Sequence, residues 1–124
     1  MKYLKLLTLP FLLFLLAGCE ETPTPGKLEG VWQCYDASHT SLIGVKYTFF
    51  KDGRCFLEYC MGWERTMTRY EIDNGRLKLY VPTKNGDEEL NSNVKIELKK
   101  DRLRLDGASD NGEYFLHLKK IETL

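Results

Sequence analysis

Val94-Lys95-Ile96-Glu97-Leu98-Lys99-Lys100-Asp101-Arg102-Leu103-Arg104-Leu105 is the stretch that decides the fold. Apolar and charged residues alternate with a period of two on either side of Lys100-Asp101, so each half reads as a strand with one apolar face. Val94, Ile96, Leu98, Leu103 and Leu105 point inward, while Lys95, Glu97 and Arg104 point outward. Two such runs joined by a short polar turn make an antiparallel hairpin.

The same pattern extends in both directions. Upstream, Leu77-Lys78-Leu79-Tyr80-Val81 is a strand stopped by Pro82, with Leu77, Leu79 and Val81 inward and Lys78 outward. Thr68 to Ile72 precedes it, ended by Asp73-Asn74-Gly75. Val31 to Tyr35, Val45 to Phe50 and Cys55 to Trp63 complete the first half, and Lys51-Asp52-Gly53 supplies a strong hairpin signal. Downstream, Ala108 to Gly112 turns the chain into Tyr114 to Leu118. Thr83 to Ser92 reads as a polar loop. No helix-length apolar pattern appears after Cys19. Eight short strands joined mostly by tight turns favour an all-β, eight-stranded antiparallel up-and-down barrel, since closure removes exposed edges.

The first half carries aromatic weight on both faces. Tyr59, Met61, Trp63, Arg65 and Met67 share one face by alternation, and Phe56, Glu58 and Cys60 share the other. Tyr35, Tyr47, Phe49, Phe50 and Tyr70 belong to the same region. Two readings stand: an aromatic end that plugs its own barrel, or a rim that binds a ligand or partner through Trp63, Met61, Tyr59, Tyr35, Tyr47 and Tyr70. Aromatic residues, Met and Arg are enriched at interface cores.

The N-terminus gives an address. Lys2 and Lys5 precede an apolar run, Leu6 to Ala17, too short to span a bilayer, and small residues lead to Cys19. Leu16-Ala17-Gly18-Cys19 resembles the lipobox of bacterial lipoproteins. That resemblance implies removal of residues 1–18 and a diacylglycerol on the Cys19 sulfur. Glu20 to Lys27, with Pro23, Pro25 and Gly26, reads as a flexible tether ahead of a domain over residues 28–124. Glu20 is not the aspartate that retains enterobacterial lipoproteins in the inner membrane, so an outer-membrane, periplasmic or surface-facing location is expected.

Removing residues 1–18 of 124 leaves 106, one small domain. The chain has 18 basic and 18 acidic side chains, and losing Lys2 and Lys5 leaves 16 against 18, a net charge near −2. Composition therefore shows no basic stripe for nucleic acid and no large patch for an anionic membrane. Cys34, Cys55 and Cys60 are an odd set in an oxidising compartment, and sequence leaves their pairing open, with strand heights leaning to Cys34 with Cys60. Their spacing does not suit a metal, and no cofactor motif is present. Asp36, Ser38 and His39 offer the side-chain types of a triad, but adjacent loop residues cannot take its geometry, so no enzyme is expected.

Leu28-Glu29-Gly30-Val31-Trp32 opens the first strand with the G-x-W of lipocalins. Tyr47 to Gly53 is similar to the F-x-x-D-G hairpin of short bacterial lipocalin-like lipoproteins, and Tyr70 to Leu79 to their Y-x-I-x-x-x-x-L-x-L step. The resemblance covers most of residues 28–121. It implies Trp32 at the closed base, beneath a basic residue from a late strand, Arg102 or Arg104. The aromatic content of residues 56–70 on both faces points to a small apolar ligand or an envelope protein as partner. The short strands and the lack of a C-terminal helix after Leu118 depart from ligand-carrying lipocalins. A second function class is an inhibitor or immunity lipoprotein acting on a periplasmic hydrolase or toxin through Ser38 to Gly44 and Thr83 to Ser92.

Overall fold

The computed structural model describes residues 21–59 and 65–124. Eight antiparallel strands run in sequence order around a closed barrel. They are β1 (Gly30–Ala37), β2 (Lys46–Phe49), β3 (Arg54–Glu58), β4 (Arg65–Asp73), β5 (Arg76–Pro82), β6 (Glu88–Lys99), β7 (Arg102–Ser109) and β8 (Gly112–Glu122). Each strand pairs with its neighbour, and β8 closes on β1, with Cys34 opposite Leu118 and Trp32 opposite Lys120. The architecture fits a lipocalin-like barrel.

Alternation fixes the faces as the sequence requires. Leu77, Leu79, Val94, Ile96, Leu98, Leu103, Leu105, Leu116 and Leu118 are buried in one core. Lys78, Lys95, Glu97 and Arg104 lie on the outer wall. In the first half Trp32, Cys34, Phe49, Cys55, Leu57 and Tyr70 fill the interior. The two-faced aromatic content resolves at β3: Cys55 and Leu57 face in, while Phe56 pairs across the outer wall with the exposed Met67. Arg65 and Met67 therefore do not share a face with Tyr59. Strand β3 ends at Glu58 instead of reaching Trp63, and β4 starts at Arg65. Met61 and Trp63 lie outside the described residues.

Strand β6 starts at Glu88, inside the stretch read as a loop. Glu88 to Ser92 lack apolar alternation, so periodicity gives no signal. Their backbone nonetheless pairs with Leu79 to Pro82, past a bulge after Leu79. Only Thr83 to Asp87 turns, held by the Thr83 amide and hydroxyl donating to the Asp87 carbonyl at 2.7 and 3.0 Å.

One end of the barrel is closed. A single helical turn, Pro25–Leu28, capped by Thr24, lies across it. Leu28 and Trp32 are fully buried there, and the Trp32 indole N–H donates to the Leu28 carbonyl at 2.8 Å. Gly30 is required at φ +140°, where a Cβ would meet the Glu122 carbonyl oxygen of β8 at 2.8 Å. Residues 21–27 are not a free tether. The Glu21 amide donates to the Leu98 carbonyl at 2.8 Å, and the Lys100 amide donates to the Glu21 carboxylate at 3.0 Å. Backbone pairing and the helix cap, which composition does not reveal, tie the segment to the barrel.

Candidate functional site

The connections after β1, β5 and β7 meet at the opposite end, the mouth. A cavity of about 330 Å³ opens there, lined by His39, Leu42, Val45, Tyr47, Leu57, Tyr59, Ser109, Asn111, Tyr114 and Leu116. Its depth is set from below. The Tyr47 ring stacks on Phe49 at 5.9 Å, and Phe49 meets Tyr70 edge-on at 5.1 Å. This column of rings fills the lower interior, so the cavity is a cup and does not continue to the base.

The walls of the cup follow from strand alternation. Tyr59 continues the inward row of Cys55 and Leu57, and Tyr114 continues that of Leu116 and Leu118. Tyr114 pairs with Gly107 of β7, and its ring occupies the space that a Gly107 side chain would fill. Leu42 comes from the 3-10 turn Thr40–Leu42, which the Val45 amide ties back through the Leu42 carbonyl at 3.2 Å. Leu42, Val45, Leu57 and Leu116 supply apolar surface, and the three tyrosines and His39 add polar groups. Burial pushes the Tyr47 phenol well above its ordinary pKa, with Cys55, Tyr114, Tyr59 and Cys34 adding to the same direction. It is therefore a neutral hydrogen-bonding group at any ordinary pH.

Of the expected site residues, the cup brings together Tyr47 and Tyr59. Tyr70 is a core residue toward the base, 3% exposed, its hydroxyl donating to the Phe50 carbonyl at 2.8 Å. The register of β4 sets it against the β2–β3 turn instead of the rim. Tyr35 is on the outer wall, because it follows the inward-facing Cys34 in the alternation of β1, just where a bulge beside β8 begins. There it meets His117 edge-on at 6.1 Å, and the Arg102 guanidinium lies 5.5 Å from its ring centre. With Glu97, Lys99, Arg102, Leu103, Arg104 and His117 it lines a separate depression of about 230 Å³. Arg104 also stacks on Phe115 at 5.2 Å and pairs with Asp106 at 2.9 Å.

Sequence reasoning missed Tyr114 as a site residue, although its place in the row of Leu116 and Leu118, opposite a glycine, was the available signal. His39 and Leu42 fall in the loop assigned to the inhibitor reading. Cys34 and Cys55 are both buried free thiols, so the Cys34–Cys60 bridge is not seen. Cys34 faces the interior, its thiol 3.4 Å from the Asp36 carbonyl, while Cys60 lies outside the described residues. Burial raises the pKa of both thiols, that of Cys55 to about 12. Among the described residues no group of His, Cys, Asp and Glu is gathered to hold a metal ion, and no helix is long and apolar enough to cross a membrane. Cys19 lies outside the described residues. Comparison with protein families, curated proteins and solved structures finds no match to this chain.

Proposed function

We propose that this chain is a lipid-anchored binding module of the bacterial cell envelope that takes a small apolar ligand in the mouth of its barrel. The observation that carries the reading is the cup of about 330 Å³ walled by Leu42, Val45, Leu57 and Leu116 and edged by three tyrosines and His39. Ligand sites are concave and mostly apolar, with a few polar groups, and begin at about 300 Å³. The size suits a molecule of one or two rings or a short acyl chain. The anchor is supported by the signal sequence and Leu16-Ala17-Gly18-Cys19.

Titration with the neutral apolar fluorophore N-phenyl-1-naphthylamine tests the ligand. Saturable binding at one site, weakened by Tyr59→Ala, is expected; fluorescence that rises without saturation, or is unmoved by the substitution, rejects the cup. A protein partner is the second reading, favoured by the stacked Tyr35, Arg102, Arg104, Phe115 and His117 on the outer wall, residue types common at binding hot spots. A stoichiometric protein captured from envelope extract and released by Arg102→Ala distinguishes it.

A further inference from the structure

The charged side chains are sorted along the barrel axis. At the mouth, Asp87, Glu88 and Glu89 of the β5–β6 connection and Asp110 and Glu113 of the β7–β8 connection are all exposed, with Asp36 beside them. Lys46, Lys84, Arg65, which pairs with Glu58, and Arg69, whose guanidinium bonds Glu88 at 2.9 Å, are the cations at that end among the described residues. At the closed end the balance reverses on one side. Lys99, Arg102 and Lys119 are successive partners across β6, β7 and β8, forming an exposed row on the outer wall at the base. Lys100 and Lys27 extend the row toward the N-terminal segment. The anions among them are partly engaged: Glu21 bonds the Lys100 amide and lies 3.9 Å from the Lys27 ammonium, and Asp101 lies 3.8 Å from Arg102. Among the described residues Glu122 and Glu97 are the remaining acidic side chains beside the row, and Glu97 pairs with Lys95 at 3.1 Å. Elsewhere around the base Asp52 pairs with Arg54 and Asp73 with Lys78, and Glu29 lies near the helical turn.

The N-terminal segment leaves the barrel at this basic side. Glu21 is paired to Leu98 at the end of β6, and Cys19 is only two residues before it. Two residues reach roughly 7 Å when fully extended, so whatever Cys19 carries begins close to the row of cations.

We propose that the closed end of the barrel, through Lys27, Lys99, Lys100, Arg102 and Lys119, is a docking face for an anionic lipid surface. The inference rests on the reading of Cys19 as the lipid anchor. Docking on this face holds the barrel upright, with the acidic mouth repelled from the same surface and its cup open to solvent. A short anchor alone fixes distance and leaves orientation free; the charge segregation selects the orientation. The overall charge near neutrality conceals this, because the fold brings Lys27 and Lys119, distant in sequence, beside Lys99, Lys100 and Arg102 of a single hairpin turn.

Lysine footprinting of the full lipidated protein tests it, in vesicles of phosphatidylcholine with or without phosphatidylglycerol. On anionic vesicles, sparing acetylation of Lys99, Lys100 and Lys119 is expected to slow about fivefold relative to Lys84, the equivalent of one basic side chain's attraction to an anionic leaflet. Neutral vesicles, or high salt, are expected to remove the difference. Paired Lys99→Glu and Arg102→Glu substitutions are expected to abolish protection of Lys119 while the protein stays with the vesicles. Protection of Lys84, or equal labelling at both ends on anionic vesicles, overturns the docking face and leaves the anchor intact. The intact mass separates the two readings: a chain without diacylglycerol on Cys19 overturns the anchor, and the docking face with it.

Discussion

The Lys120 ammonium lies 5.2 Å from the centre of the Trp32 ring, closing the base of the barrel from β8. The two are cross-strand partners in the β1–β8 closure, and the Lys120 amine also reaches the Lys27 carbonyl at 3.4 Å. The basic residue expected over the tryptophan is therefore Lys120, not Arg102 or Arg104. Arg104 is on an outward position of β7, and Arg102 is turned to Tyr35. Lys120 is brought over the indole because the unbroken register Cys34–Leu118, Gln33–Lys119, Trp32–Lys120 puts it opposite the inward-facing Trp32.

Removing the Trp32 ring leaves a large cavity under the helical turn and an unpartnered Leu28 carbonyl. Trp32→Ala is expected to cost about 3–5 kcal/mol in a urea titration. Lys120→Met keeps the stem and removes only the charge, so a loss of about 0.5–1 kcal/mol is expected. Equal losses in the two variants would show that the cation, not the buried ring, holds the base.

Gly107 sets the position of Tyr114 in the mouth. A Cβ at Gly107 meets the Tyr114 ring, so Gly107→Val must push the ring out of place. Such overpacking is expected to cost about 1–3 kcal/mol and to weaken N-phenyl-1-naphthylamine binding. Gly107→Val combined with Tyr114→Ala is expected to recover part of the stability. A double variant no more stable than the single one would mean that the ring is not what the valine meets.

Much of the fold is legible in the sequence because two-residue alternation and Asp-Gly or Asn-Gly turns both report strand geometry directly. Leu77, Leu79, Val94, Ile96 and Leu98 stand at alternate positions, set off by Lys78, Lys95 and Glu97. The site is less legible, because alternation says inward or outward and nothing about height. Tyr47 and Tyr70 both face inward, yet one lines the cup and the other lies near the base. Asp36, not Tyr35, breaks the alternation of β1, through a bulge that no residue type announces. The docking of Glu21 on β6 is equally hidden, since it runs through backbone groups.

The different heights of Tyr59 and Tyr70 separate binding from stability. Tyr59 is 42% exposed at the rim, so Tyr59→Ala is expected to change stability by less than about 1 kcal/mol while weakening the probe. Tyr70→Phe removes the hydroxyl that donates to the Phe50 carbonyl, with an expected loss of about 1 kcal/mol and unchanged binding. Paired melting and fluorescence titrations read both. Weakened binding in Tyr70→Phe would extend the site down to the base.

Burial of ionisable groups in the lower barrel makes the fold sensitive to alkali. Burial raises the Cys55 thiol from 9.0 to about 12, against a smaller opposing hydrogen bond from Thr68. It also raises the Tyr70 phenol from 10.0 to about 12. Above its ordinary pKa each group ionises in the unfolded chain while remaining neutral in the barrel, so the folded state binds more protons. Stability is then fully retained below pH 9 and is lost progressively as pH rises toward about 12. The urea midpoint is expected to fall over that range, and Cys55→Ala is expected to make the fall shallower. Free-thiol titration gives an independent check: Cys55 stays unreactive in the folded protein at neutral pH and reacts once urea opens the barrel. A pH profile identical in Cys55→Ala and the parent, with Cys55 reacting readily in the folded state, would place this thiol in contact with water.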